Sequence, residues 1–356
     1  MTIATNQPAP RSRSALVALT TGLTVLAVFA TGEATLRVLG VAPWQPTLRA
    51  GEPVVYEPDA RLGWRNRPGH YRLPPYHPSG SEIELTFLSE GRRRTAEAEL
   101  PGPRLALVGG SFTQGWAVSD PETFAWKLQT AVPSVRVENF GTGGYGTLQS
   151  LLVLESELRD AAAPPLLVIY GFMGHHEYRN VANAYWLDLL ARNASRGHVA
   201  VPYATLAPNG DLRRHAPTHY PSWPLREHSA LVSFTGRLLM KARTLPRRVQ
   251  ARAVTEALLL EMAETVESRG GRFAVVLLAA DEPVRSHYTR FLGERGVASI
   301  DWVEVLTPEL QVRGEGHPNG ALHSRWADCI TSAVRPVVAD QPGRIASSNL
   351  EDPTDR

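Results

Sequence analysis

Between Arg104 and the C-terminal region two hydrophobic periods alternate, and this alternation sets what the chain can fold into. Five short apolar runs have the length and composition of buried strands: Arg104–Val108, Val135–Phe140, Leu166–Tyr170, Phe273–Leu278 and Ala298–Trp302. Stretches of helical spacing separate or follow them: Thr123–Thr130, Thr147–Leu158, Val249–Arg269, Val284–Arg295 and Gly320–Val338. A strand–helix–strand succession returns its strands parallel, and parallel strands with nearly unbroken apolar runs must be covered on both faces. The expected class is therefore α/β, a three-layer α/β/α domain around a doubly wound parallel sheet. With 356 residues, 43% of them hydrophobic, the chain can bury one full core and carry an appendage.

The first of these strands runs into a turn that can hold chemistry. Leu105-Ala106-Leu107-Val108 is followed by Gly109-Gly110-Ser111-Phe112-Thr113-Gln114-Gly115, with a helix expected over Pro121 to Thr130. A serine on the turn leaving a parallel strand sits at the carboxyl edge of the sheet, where open α/β folds place ligands. It becomes a nucleophile only if a histidine takes its proton and N–H groups hold the oxyanion. Candidates for both roles follow in the chain: Gly144 in Asn139-Phe140-Gly141-Thr142-Gly143-Gly144-Tyr145-Gly146, and His317 in Glu315-Gly316-His317-Pro318-Asn319. Taken alone, Ser111 reads equally well as a helix cap. The turn is not a phosphate loop, because Trp116 and Ala117 stand where Lys and Ser/Thr are needed. Nor is it a Gly-x-Ser-x-Gly elbow, since Thr113 takes the last glycine position. Gly141–Gly146 matches a dinucleotide fingerprint, but the next strand ends at Tyr170-Gly171-Phe172 without the required acid, and Glu177 comes too late.

Together the three segments resemble the SGNH (GDSL-type) hydrolase family of esterases and acyl hydrolases. The first looks like its Gly-Asp-Ser block, the second like its Asn-x-x-x-x-Gly block, and the third like its closing Asp-x-x-His or Asp-x-His block. The resemblance spans roughly Leu105 to Val337, and the N-terminal layout is similar to membrane-anchored bacterial members. It implies a flavodoxin-like α/β/α fold with Ser111 as nucleophile and His317 as general base. Glu315 would orient His317, and the N–H groups of Ser111 and Gly144 would hold the oxyanion. Hydrolysis of an O-acyl ester is the implied reaction; acyl transfer to a sugar hydroxyl in the same site and a non-catalytic envelope protein are the alternatives.

Two positions depart from the family pattern. Gly110 stands where an aspartate usually braces the nucleophile turn. Gly174-His175-His176-Glu177 replaces a Gly-x-Asn-Asp block, so His175 falls where an oxyanion-binding asparagine would be, with His176 a second candidate. A neutral imidazole can donate one N–H, so the role is chemically open to it. Glu315, two residues before His317, carries a carboxylate that can accept the imidazole N–H and fix its tautomer.

Ala15 to Gly32 is an uncharged run of 18 residues, preceded by Arg11 and Arg13 and by no acid. It is long enough to span a bilayer with the N-terminus in the cytoplasm; Val28-Phe29-Ala30 offers a signal-cleavage reading instead. Either way the catalytic part is expected outside the cytoplasm. The expected organisation is a tail and anchor over 1–40, a linker and small β appendage over 41–103, the hydrolase domain over 104–340 and a disordered tail over 341–356. The linker, Val41 to Pro78, is expected to settle on the domain through Trp64, Tyr71 and Tyr76, with a strand over Glu82–Phe87. The stretch 180–247, with Trp186, Trp223 and four histidines, breaks the alternation and reads as a lid or substrate-binding insertion.

A net charge of +2 and scattered arginines argue against nucleic acid as a partner. A single cysteine, Cys329, leaves no disulfide framework and no multi-cysteine zinc site. Adjacent His175 and His176 point apart, and no third ligand stands at metal-binding spacing. No metal or cofactor is expected; the partners are an acylated small molecule or glycan and, through the N-terminal helix, the membrane.

Overall fold

The computed structural model describes residues 11–47, 51–161, 163–193, 200–220 and 222–340. The tail expected to be disordered, 341–356, and His198 of the insertion lie outside the described residues. The chain opens with helix α1 (Arg11–Val38). Two antiparallel ribbons follow, β1 (Tyr56–Asp59) with β2 (Gly63–Asn66) and β3 (Gly69–Leu73) with β4 (Ile83–Phe87). The segment expected to be a linker thus carries three short paired strands.

The main domain then alternates as the hydrophobic periods require. Its elements are β5 (Arg104–Gly109), α2 (Ser111–Gln114), α3 (Phe124–Ala131), β6 (Arg136–Asn139), α4 (Thr147–Asp160) and β7 (Leu167–Met173). α5 (His176–Asn180) leads into the insertion, which contributes α6 (Ala184–Arg192), the hairpin β8 (Ala200–Leu206) and β9 (Leu212–His219), and α7 (Ala230–Arg248). The chain returns through α8 (Ala251–Glu267), β10 (Arg272–Ala279), α9 (Glu282–Glu294), β11 (Ala298–Asp301) and α10 (Gly320–Ala339).

The central sheet has the order β11-β10-β7-β5-β6 and is parallel throughout. Alternate residues of each strand feed opposite cores. Ala106, Val168, Tyr170 and Val275 pack with α4, α8 and α9 on one face. Leu105, Leu107, Ile169 and Val276 pack with α3 and α10 on the other. This is the three-layer architecture that the strand runs demand. A third cluster joins Tyr56, Trp64, Leu85 and Phe87 of the ribbons to Tyr145, Trp186 and Val201, so the appendage and the insertion share a core. Cys329 is half-buried on α10, and burial raises its thiol pKa.

β6 lies on one side of β5 and β7 on the other, so the strand order reverses direction at β5. A crevice forms beyond the carboxyl ends at such a point. Ser111 is the second residue past the end of β5.

Candidate active site

Ser111 opens α2 directly, with Gly110 as the N-cap in extended backbone. The helix expected to follow over Pro121–Thr130 is a separate element, α3. The four-residue helix is closed by Gly115, whose N–H donates to the Ser111 carbonyl at 3.0 Å. Asn139 braces it from β6, its side-chain amide donating to the Thr113 carbonyl at 2.8 Å while its Oδ1 accepts from Gly141 N–H at 2.9 Å. The appendage contributes as well: Gln114 Nε2 donates to Asn66 Oδ1 at 2.7 Å, and Asn66 Nδ2 donates to the Gly141 carbonyl at 3.1 Å. These ties fix the turn from both sides.

Two hundred residues later the loop before α10 returns to it. His317 Nε2 lies 2.9 Å from Ser111 Oγ. His317 Nδ1 faces both oxygens of Glu315, at 2.9 and 2.8 Å, and Glu315 Oε2 also accepts the His317 backbone N–H at 2.8 Å. A ring nitrogen set against a carboxylate carries the hydrogen, which leaves Nε2 as acceptor for the serine O–H. Trp116 Nε1 donates to Glu315 Oε1 at 3.1 Å, and Phe112 packs edge-on against the His317 ring. The structure therefore brings Ser111, His317 and Glu315 into one hydrogen-bonded line.

Gly144 lies in the loop between β6 and α4, with φ +89°, a conformation that favours glycine. Among the described residues its N–H donates to no protein acceptor, although its neighbours Thr142 and Tyr145 both donate to backbone carbonyls. The loop is tied to the Ser111 turn by Thr142 N–H on the Gly109 carbonyl at 3.0 Å, and to the appendage by Trp64 Nε1 on the Gly143 carbonyl at 3.0 Å.

The two histidines of the third segment separate. His175 lines a cleft of about 190 Å³ together with Ser111, His317, Met173, Tyr178 and Trp186. Lost hydration in the cleft and the nearby Arg179 cation lower its pKa, so the ring is biased toward the neutral form. His176 is fully buried; Tyr170 Oη stands 2.6 Å from its Nδ1, and its pKa falls well below the ordinary value through burial and the same Arg179. Its Nε2 is buried without a hydrogen-bond partner.

Position 110 leaves little room for a side chain. A Cβ there would stand 3.0 Å from His176 Nε2, 3.0 Å from Arg179 Nη1 and 3.1 Å from the Tyr145 carbonyl oxygen. Arg179 Nη1 donates to that carbonyl at 2.9 Å, and its guanidinium stacks on Trp186 at 4.4 Å. Arg179 and Trp116 were not singled out from the sequence. Their partners are set by tertiary folding, and no local spacing announces them. Among the described residues no group of three or more His, Cys, Asp and Glu side chains is arranged to hold a metal ion.

No family model and no curated protein matches the chain. Similar solved structures include a member of the lipolytic G-D-S-L family from Veillonella parvula, 11% identical, with a TM-score of 0.38, covering 67% of this chain and 99% of that one. Another is the esterase EstA from Pseudoalteromonas, inhibited by monoethylphosphonate, 10% identical, with a TM-score of 0.38, covering 65% of this chain and 99% of that one. A third is a catalytic mutant of an acetylxylan esterase from Geobacillus stearothermophilus, 12% identical, with a TM-score of 0.34, covering 67% of this chain and 95% of that one. What the Ser111 site can do follows from its own geometry.

Proposed function

We propose that this chain is a serine esterase that removes small O-acyl groups through a covalent acyl-enzyme. The observation that carries the reading is the unbroken line from Ser111 Oγ through His317 to Glu315 at the carboxyl edge of the sheet. In this scheme His317 Nε2 takes the Ser111 proton as Oγ attacks the ester carbonyl, and Glu315 stabilises the imidazolium. The N–H groups of Ser111 and Gly144, with the neutral His175 ring, receive the charge that develops on the carbonyl oxygen. His317 then protonates the leaving alcohol, and water attacks the acyl-serine with His317 again as base. The small cleft, walled by Phe112, Met173 and Trp186, suits a short acyl group better than a long chain.

The apolar helix α1, with an apolar span over Ser14–Val38, is read as a membrane anchor that holds the domain outside the cytoplasm. An O-acylated envelope or exported glycan is the substrate class that this placement suggests.

Detergent-solubilised chain should hydrolyse p-nitrophenyl acetate and be labelled by a fluorophosphonate at Ser111. Ser111→Ala and His317→Ala should each abolish turnover, by several orders of magnitude, without changing the thermal unfolding temperature greatly. Labelling at another residue would refute the assignment.

A further inference from the structure

The first half of α7 meets the end of α1. A Cβ at Gly32, where the uncharged run of α1 ends, would stand 3.3 Å from Leu231 Cδ2. One residue on, Glu33 caps α7: its carboxylate accepts from Ser229 Oγ at 2.8 Å, Ala230 N–H at 3.0 Å and Leu231 N–H at 2.9 Å. Arg37 adds a bond to the His228 carbonyl at 2.8 Å. The amino end of α7 is therefore held at the level where the uncharged run Ala15–Gly32 stops.

From that point an apolar line runs along α7, exposed among the described residues. Phe234, Leu238, Leu245 and Val249 recur at i, i+4, i+11 and i+15, one stripe of a helix, and Leu238 and Val249 are 55% and 78% exposed. Lys241 interrupts the line, and Arg237 and Arg248 flank one margin. Residues 230–248 contain no acid, and among the described residues none of these three cations pairs with a carboxylate. Trp223 and Leu225, also exposed, precede the helix. A basic helix with an open apolar stripe is the form that lies in a bilayer interface, its long cationic side chains reaching the headgroups.

We infer that α7 is an interfacial helix, its Phe234–Leu238–Leu245 stripe seated in the same membrane that α1 spans and its cations set against anionic lipid headgroups. The inference rests on reading α1 as an anchor. Two features select a membrane over other cover: continuity with the span at Gly32 and Leu231, and a charge of one sign along the margin. α6 packs between α7 and the Ser111 cleft, and its Tyr185 lines both that cleft and the cavity beside α7. The cleft would then open close to the bilayer surface, where membrane-bound acylated material is concentrated.

The test uses the full chain in a Cys329→Ala background, reconstituted into phosphatidylcholine vesicles with or without phosphatidylglycerol. A bimane is placed at Leu238→Cys, at Leu23→Cys in the span, or at Ser332→Cys on α10, and quenching by nitroxide-labelled lipid is read. The expected result is strong quenching at position 23, quenching at 238 several-fold above that at 332, and a further rise at 238 with phosphatidylglycerol. Quenching at 23 with 238 no higher than 332 overturns the inference while leaving the anchor intact. Absence of quenching at 23 removes the anchor reading, and this inference falls with it. Efficient disulfide formation between Leu238→Cys copies, with weak lipid quenching, would assign the stripe to a second copy of the chain and also overturn it.

Discussion

Trp116 Nε1 donates to Glu315 Oε1 across 199 residues of sequence, so the second residue past the Ser111 helix also holds the carboxylate that faces the His317 ring. Three donors face Glu315 at this point: the Trp116 indole N–H, the His317 backbone N–H and the His317 ring at Nδ1. The carboxylate is therefore fixed in place against the His317 ring.

That arrangement predicts a graded pair of variants. Glu315→Gln must turn an amide NH2 toward one of three donors, which disrupts the His317 tautomer; kcat should fall on the order of 10²–10⁴-fold, as when a triad carboxylate becomes an amide. Trp116→Phe removes one bond to the carboxylate and keeps the aromatic packing on Tyr56, so kcat should fall only about 3- to 10-fold. Steady-state kinetics on p-nitrophenyl acetate decide it. Equal, small losses in both variants would mean that His317 is held by something other than Glu315.

Placing an aspartate at position 110 should harm this chain. Its side chain would have to displace His176 and Arg179, both held by their own contacts, at a cost of about 1–3 kcal/mol for an overpacked site. Gly110→Asp should therefore lower the unfolding temperature and slow fluorophosphonate labelling. The loss should shrink in an Arg179→Ala background, because the two positions compete for one space. An additive double variant would show that Arg179 does not occupy that space in solution.

The strand runs were legible because a parallel strand covered on both faces must be apolar at nearly every position; β5, β6, β7, β10 and β11 start and stop within about three residues of the runs that announced them. Ser111, His317 and Glu315 were legible through local motifs. α7 was not, since Gly236 and Pro246 interrupt it and its apolar stripe is exposed among the described residues, so it carries no core signature. The β1–β2 ribbon was hidden because strands of four residues around Gly63 and Trp64 give too short an alternation to detect. Arg179 and Trp116 were invisible for a different reason: their roles depend on which carbonyl or carboxylate the fold brings to them.

His175 offers a test of the oxyanion site. Its ring borders the Ser111 cleft, and lost hydration with the nearby Arg179 cation lowers its pKa, which favours the uncharged ring. An asparagine amide can donate from nearly the same place. His175→Asn should keep most activity, whereas His175→Ala should lose on the order of 10²-fold in kcat with little change in KM, as deletion of other oxyanion donors does. Equal activity in all three forms would leave the oxyanion to the backbone N–H groups alone.

His323 predicts how stability depends on pH. Its ring is fully buried, stacked on Phe124 at 5.8 Å, with Nδ1 accepting the Phe124 N–H at 3.3 Å. Burial, reinforced by the cations Arg93 and Lys127, pushes its pKa from 6.5 down to about 3. Between those values the unfolded chain binds a proton that the folded chain refuses, so the unfolded state gains as pH falls. The contribution of His323 is fully present above about 6.5 and is lost progressively toward pH 3, at no more than about 1.4 kcal/mol per pH unit. His323→Gln keeps an acceptor for the Phe124 N–H but cannot titrate. It should unfold at a lower temperature than the parent at pH 8, from lost stacking, yet lose less stability between pH 6.5 and 4. A remaining slope is expected, because His176 is also buried in its neutral form. Thermal unfolding of the detergent-solubilised chain across that pH range measures both slopes; identical slopes would mean that His323 takes up its proton without leaving the fold.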